Sequence, residues 1–202
     1  LSHSSGGNLI DKVNHPLKIG ADINRYLIAL FKYLQQNEFN PPHIGEEEYK
    51  DIRINKDKYP DWLVGYVGFN LSFGAKFFGG YRRDKAGVRD YQNEAQQNLK
   101  AQQNLIKNIK FLCCSYDQIK INPSSIIYCD PPYQGTTKYK SSFDHEQFWQ
   151  WCRNKKAEGH EIYISEYNAP PDFKCIWQKE IVSSLTQDTG SKKGIEKLFT
   201  LE

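Results

Sequence analysis

Apolar residues recur at Ile23, Leu27, Leu30, Phe31 and Leu34, on one face of a 3.6-residue period, and predict an amphipathic helix over 23–36. Ahead of it, Leu17-Lys18-Ile19-Gly20-Ala21-Asp22 reads as a strand ending in an acid. A long second helix is predicted over 89–110, where Tyr91, Ala95, Leu99, Ile106 and Ile109 form a narrow apolar stripe in a sequence rich in Gln and Asn. Residues 109–114 are then a strand candidate, followed by Ser115-Tyr116-Asp117. The apolar run Ser125-Ile126-Ile127 reads as a buried strand that leads into Tyr128-Cys129-Asp130-Pro131-Pro132-Tyr133. Asp144 is placed to cap a helix over 146–157 whose apolar side is Phe148, Trp149 and Cys152. A strand over 161–165, an extended segment over 173–182 and a final strand over 196–201 close the chain. Strands alternating with helices predict an α/β fold with a mostly parallel sheet. The non-alternating middle, 37–108, reads as an insertion with its own helices.

Composition narrows this only a little. The 202 residues suffice for one compact domain, and 39% hydrophobic with 25% charged residues is ordinary for a globular protein. No apolar run reaches the length that spans a bilayer and no signal peptide is visible, so an intracellular, cytoplasmic protein without membrane contact is expected. The five cysteines are odd in number and form no Cys-x-x-Cys pair, which argues against zinc and against a disulfide framework. A net charge of +3 says little about a polyanionic partner; a clustered basic face would say more.

Three stretches carry candidate chemistry. In Asp130-Pro131-Pro132-Tyr133 the prolines fix two φ angles and remove two donors, leaving a rigid carbonyl beside a carboxylate and an aromatic ring. That set suits an exocyclic amino group, with two protons to donate, on a ring that Tyr133 can stack against. The plain alternative is a strand running into a Pro-Pro turn. Asp22, at a strand end, either binds ribose hydroxyls or serves as the cap of the following helix. Gly6 and Gly7 lie in a small turn before a short helix, where a ligand can approach backbone, or in a frayed terminus. In the stretch 68–85 glycines alternate with aromatics and a basic run follows, including Lys76, Tyr81, Arg82 and Arg83. It joins cations for phosphates with flat rings for bases, or else packs its aromatics into a core.

The order of these features resembles the Dam-type DNA adenine N6-methyltransferases of bacteria and phages: a Gly-rich turn, a strand ending in Asp22, a Phe-Asn…Tyr-Arg loop, then Asp130-Pro131-Pro132-Tyr133. The likeness extends to Phe143 with its helix, to Ile164-Ser165-Glu166-Tyr167-Asn168, and to the ending Gly194-Ile195-Glu196-Lys197-Leu198-Phe199. It implies a Rossmann-like sheet that uses S-adenosylmethionine, with 1–36 and 109–202 as catalytic core and 37–108 as DNA-recognition insertion. Asp130 and the Pro131 carbonyl would hold the adenine amino group, Pro132 would stiffen the turn, and Tyr133 would stack on the flipped base. Gly6, Gly7, Asp22, Ser115, Tyr116 and Asp130 would lie at the cofactor. Lys76, Tyr81, Arg82, Arg83, Lys192 and Lys193 would meet double-stranded DNA. The enzyme would act as a monomer and without metal. Where the family's first motif reads acid, Pro, Phe, one variable residue and glycines, this chain has Leu1-Ser2-His3-Ser4-Ser5-Gly6-Gly7, the family's preceding cofactor-binding lysine is absent, and Ser115 replaces the usual acid. These departures set a second reading beside the active enzyme: a remnant that binds DNA without transferring methyl groups. A third is methylation of another amine.

Overall fold

The computed structural model describes residues 9–84, 87–134, 143–183 and 192–202, with backbone alone at 75, 181–183 and 192–194. Two compact units divide the chain, residues 1–119 and 120–202.

In the first unit, β1 (Lys18–Asp22) pairs in parallel with β2 (Ile109–Cys113), from Lys18 against Ile109 to Asp22 against Cys113. Between them lie α1 (Arg25–Gln36), α2 (Glu46–Ile54), α3 (Asp61–Gly65) and α4 (Tyr91–Ile106). The predicted stripe of α1 buries Leu27, Ile28, Leu30, Phe31 and Leu34. Ile23 does not join it: the helix starts two residues later and Ile23 is 77% exposed. The cap is Asn24, whose side chain accepts from the N–H groups of Tyr26 (3.0 Å) and Leu27 (3.2 Å); Asp22 instead accepts from Asn24 N–H at 2.7 Å. Asp22 thus braces the cap without being it.

Phe31 stacks on Phe111 with ring centroids 4.7 Å apart, fastening α1 to β2. Helix α4 buries Gln92, Ala95, Leu99, Gln102 and Ile106. The glutamine is not an error in the stripe, because Gln92 accepts from Ile44 N–H and donates to Ile44 C=O, pinning the segment before α2. Ile109 belongs to β2 and not to the helix. Among the described residues, 37–108 share a single core with α1 and β2. Ile44, Tyr49, Tyr66, Leu99 and Ile106 join Leu27, Phe31 and Phe111 in one cluster.

The second unit holds β3 (Ile126–Cys129), α5 (His145–Ala157), β4 (Glu161–Glu166), β5 (Phe173–Ser183) and β6 (Lys192–Leu201), in the sheet order β3-β4-β6-β5. Pairs β3–β4 are parallel, whereas β4–β6 and β5–β6 are antiparallel. The sheet is therefore more mixed than the alternation of elements implied, because β6 runs antiparallel to both of its neighbours. Asp144 caps α5, accepting from Gln147 N–H at 2.9 Å, and α5 buries Phe148, Trp149 and Cys152. Strand β3 is not the buried strand its apolar run predicted: it lies at the sheet edge and Ile126 is 71% exposed.

Candidate active site

The parallel register sets Cys129 opposite Ile164, so the residues leaving β3 run beside those at the end of β4. Ladder pairing stops at Cys129, and past Asp130 two successive residues, Pro131 and Pro132, have no backbone N–H to donate. Side chains of β4 and β6 take over. Tyr133 donates its hydroxyl to Glu196 Oε1 at 3.1 Å and lies 3.3 Å from Ser165 Oγ. Its ring meets Tyr167 edge to face, centroids 4.5 Å apart at 63°. Burial raises the Tyr133 phenol well above its ordinary range, and the negative charges of Asp130 and Glu196 push it further, so the hydroxyl is a fixed donor.

Glu166, fully buried, has one oxygen on each side of the turn: Oε1 accepts from Tyr167 N–H at 2.7 Å and Oε2 from Gln134 N–H at 3.1 Å. Burial raises its carboxyl above the usual range, those two N–H groups pull it back, and Asp130 adds a further rise. Both carboxylate oxygens of Asp130 are buried, and Pro131 is buried beside it. The turn brings together a buried carboxylate, two prolines whose only backbone polar groups are acceptors, and a ring whose angle is set from behind. It can accept two hydrogen bonds from one small planar donor.

In the first unit the carboxyl ends of β1 and β2 coincide. Asp22 carbonyl accepts from Cys114 N–H at 3.2 Å, and Ser115 and Tyr116 follow directly. Ser115 caps the one-turn helix Tyr116–Gln118 in a reciprocal box, its own N–H donating to Gln118 Oε1 at 3.2 Å. Its hydroxyl is thus engaged in the cap.

The aromatic-basic stretch packs inward. Leu71 and Phe78 are buried, Phe69 and Phe77 pack against the core, and Tyr81 donates to Ile44 C=O at 3.0 Å while meeting Tyr49 edge-on; Phe73 alone of these rings is exposed. Residues 66–70 form a helical turn with five-residue hydrogen-bond spacing, so the glycines there do not exclude helix. The cations stay outside: Lys76 is exposed, the Arg82 guanidinium sits 4.0 Å from the Tyr91 ring centroid, and Arg83, with its side chain 61% exposed, pairs with Glu46 at 3.2 Å. Gly6 and Gly7 lie outside the described residues, as do the side chains of Lys192 and Lys193, whose backbone belongs to β6.

Sequence reasoning left Ser165, Glu166, Tyr167 and Glu196 out of the site. The available signal was an acid and an aromatic at the end of the strand that follows the Pro-Pro turn. Among the described residues no three His, Cys, Asp or Glu side chains gather as a metal site, and no helix is long and apolar enough to cross a membrane. All five cysteines are free.

A family model described as D12 class N6 adenine-specific DNA methyltransferase matches residues 6–171. No curated protein matches the chain.

Proposed function

This chain belongs to the D12 class of N6 adenine-specific DNA methyltransferases, and from that premise we propose that its Asp130 turn holds the amino group of an adenine rotated out of the duplex. The observation that carries this reading is the braced turn at the end of β3, with a buried carboxylate at Asp130 and a Tyr133 ring held at both Ser165 and Glu196. The adenine amine is engaged in a base pair inside duplex DNA, so the base must leave the stack to be reached. Asp130 then accepts one amino proton and the Pro131 carbonyl the other, which fixes the nitrogen lone pair out of the ring plane. Tyr133 lies along the base. As the nitrogen forms its new bond it gains positive charge, which the Asp130 carboxylate stabilises without reorganising.

S-adenosylmethionine, when bound, supplies an electrophilic methyl group. The residues at the carboxyl ends of β1 and β2 fit such a ligand: the Asp22 side chain is oriented by Asn24 N–H at a strand end suited to a ribose diol, with Ser115 and Tyr116 beside it. We assign residues 37–108 to DNA reading, with Lys76, Arg82 and Arg83 toward phosphates. The decisive experiment incubates the chain with adenine-containing duplex DNA and methyl-labelled S-adenosylmethionine, then digests the DNA to nucleosides. Labelled N6-methyldeoxyadenosine is expected, and label confined to another nucleoside refutes the reading.

One observation favours the impaired remnant: the Ser115 hydroxyl, standing where the family carries an acid, is taken up by a helix cap. Calorimetry separates the two, since a remnant shows no heat of S-adenosylmethionine binding at millimolar concentration. For the DNA side, changing Arg82 and Arg83 together to Ala lowers the slope of log affinity against log salt by about 2, one unit per lost phosphate contact. An unchanged slope assigns both guanidinium groups to Tyr91 and Glu46 alone.

A further inference from the structure

A fully buried carboxylate is costly to keep unless strong hydrogen bonds offset the loss of hydration. Glu166 is such a group, and each of its oxygens accepts a backbone N–H. The identity of one donor matters. After Cys129 the β3–β4 ladder has ended, and Pro131 and Pro132 offer no N–H to continue it. Gln134 N–H, directly past Tyr133, is gripped from the end of β4, at 3.1 Å from Glu166 Oε2. The same carboxylate grips Tyr167 N–H at 2.7 Å, and Tyr167 supplies the ring against which Tyr133 rests. One side chain therefore fixes the far end of the turn and the residue behind its aromatic wall.

We propose that Glu166 is a positioning residue, a carboxylate strap that replaces the missing ladder and sets the Asp130 carboxylate, the Pro131 carbonyl and the Tyr133 ring at a common geometry. This rests on the reading that those three groups hold the base. Glu166 acts through Gln134 and Tyr167 and touches no reacting atom. The group matters as an ionised double acceptor. A glutamine of the same shape keeps one oxygen and turns an NH2 toward the other N–H, donor against donor.

Two readouts test the strap on the full chain, one independent of catalysis. In wild-type protein the Gln134 and Tyr167 amides exchange slowly with deuterium, followed by NMR. In Glu166→Ala both exchange at least tenfold faster, and in the isosteric Glu166→Gln one of the two does. In methyl transfer, kcat of Glu166→Gln falls about 100-fold, as expected for reacting groups displaced by an ångström, with KM for S-adenosylmethionine unchanged. A residue that served folding alone would lower the folded fraction and leave kcat per folded molecule intact. Should Glu166→Ala fail to fold, Glu166→Gln carries the comparison. Unchanged exchange at both amides, or a kcat within twofold of wild type, overturns the strap. If the wild-type chain transfers no methyl group, the base-holding reading falls by itself, and amide exchange still decides whether Glu166 holds the turn.

Discussion

Asp130→Ala loses methyl transfer by about 10³-fold or more while affinity for duplex DNA stays within a few-fold of wild type. The size of the loss follows from what is removed. In the proposed reading the carboxylate accepts one amino proton and is also the fixed negative charge nearest the nitrogen that becomes cationic. Its oxygens are buried, so the interaction is little weakened by water. DNA affinity survives because contacts to phosphates dominate it and belong to cations elsewhere in the chain. Asp130→Asn sharpens the point, since it conserves shape but places a donor where the amine needs an acceptor. Single-turnover transfer and a filter-binding isotherm on the same preparations measure both quantities. Transfer by Asp130→Ala within tenfold of wild type removes Asp130 from the reaction.

Gly65→Ala destabilises the first unit by about 3 kcal/mol or more, at the upper end for overpacking. A Cβ on Gly65 would sit 2.2 Å from the Tyr26 carbonyl oxygen, 2.8 Å from its carbonyl carbon and 3.1 Å from Leu30 Cβ. The obstacle is the backbone of α1, which has no rotamer through which to move aside. The two helices must separate, and with them the contacts of Leu63 and Val64 to the buried face of α1. Urea unfolding followed by circular dichroism reads this as a lower midpoint. A midpoint equal to wild type shows that α3 can shift along α1 without loss. Gly45 is the steric control: a Cβ there meets nothing within 4 Å, so Gly45→Ala carries only the smaller loss of a glycine cap on α2 and lowers the midpoint less than Gly65→Ala.

What could be read from the chain beforehand depended on the range of the interaction. Helix α1 was visible in Leu27, Leu30, Phe31 and Leu34, and α5 in Asp144 with Phe148, Trp149 and Cys152, because caps and 3.6-residue stripes are local. Ile23 misled because apolar character alone does not show where a helix begins; the turn at Asp22 and Asn24 leaves it outside. Ile126 misled for a different reason. Whether an apolar strand is covered depends on its neighbours in the sheet, and β3 is paired on β4 alone among the described strands. The stretch 68–85 has the composition of a nucleic-acid loop, yet its rings, exposed Phe73 apart, pack on the core. Gly68 makes room there, since a Cβ on it would lie 2.4 Å from Phe77 Cε2. Asp130 and Tyr133 could be singled out because the Pro-Pro pair marks them. Glu166 is marked only as an acid at a strand end and Glu196 not at all, for their roles beside the turn arise when β4 and β6 are laid next to it.

The pairing of Lys18 with Ile109 has a consequence for how the protein is made. The two strands of that sheet are separated by all four helices of the first unit, and closing so long a loop costs entropy before any contact rewards it. On a ribosome, α1 and the helices after it emerge and begin to pack while β1 still waits for its partner. The edge that carries Asp22, Ser115 and Tyr116 is therefore among the last features of its unit to assemble. A chain stalled before Ile109 holds helices and a β1 edge still without its β2 partner, the kind of uncovered strand that invites mispairing.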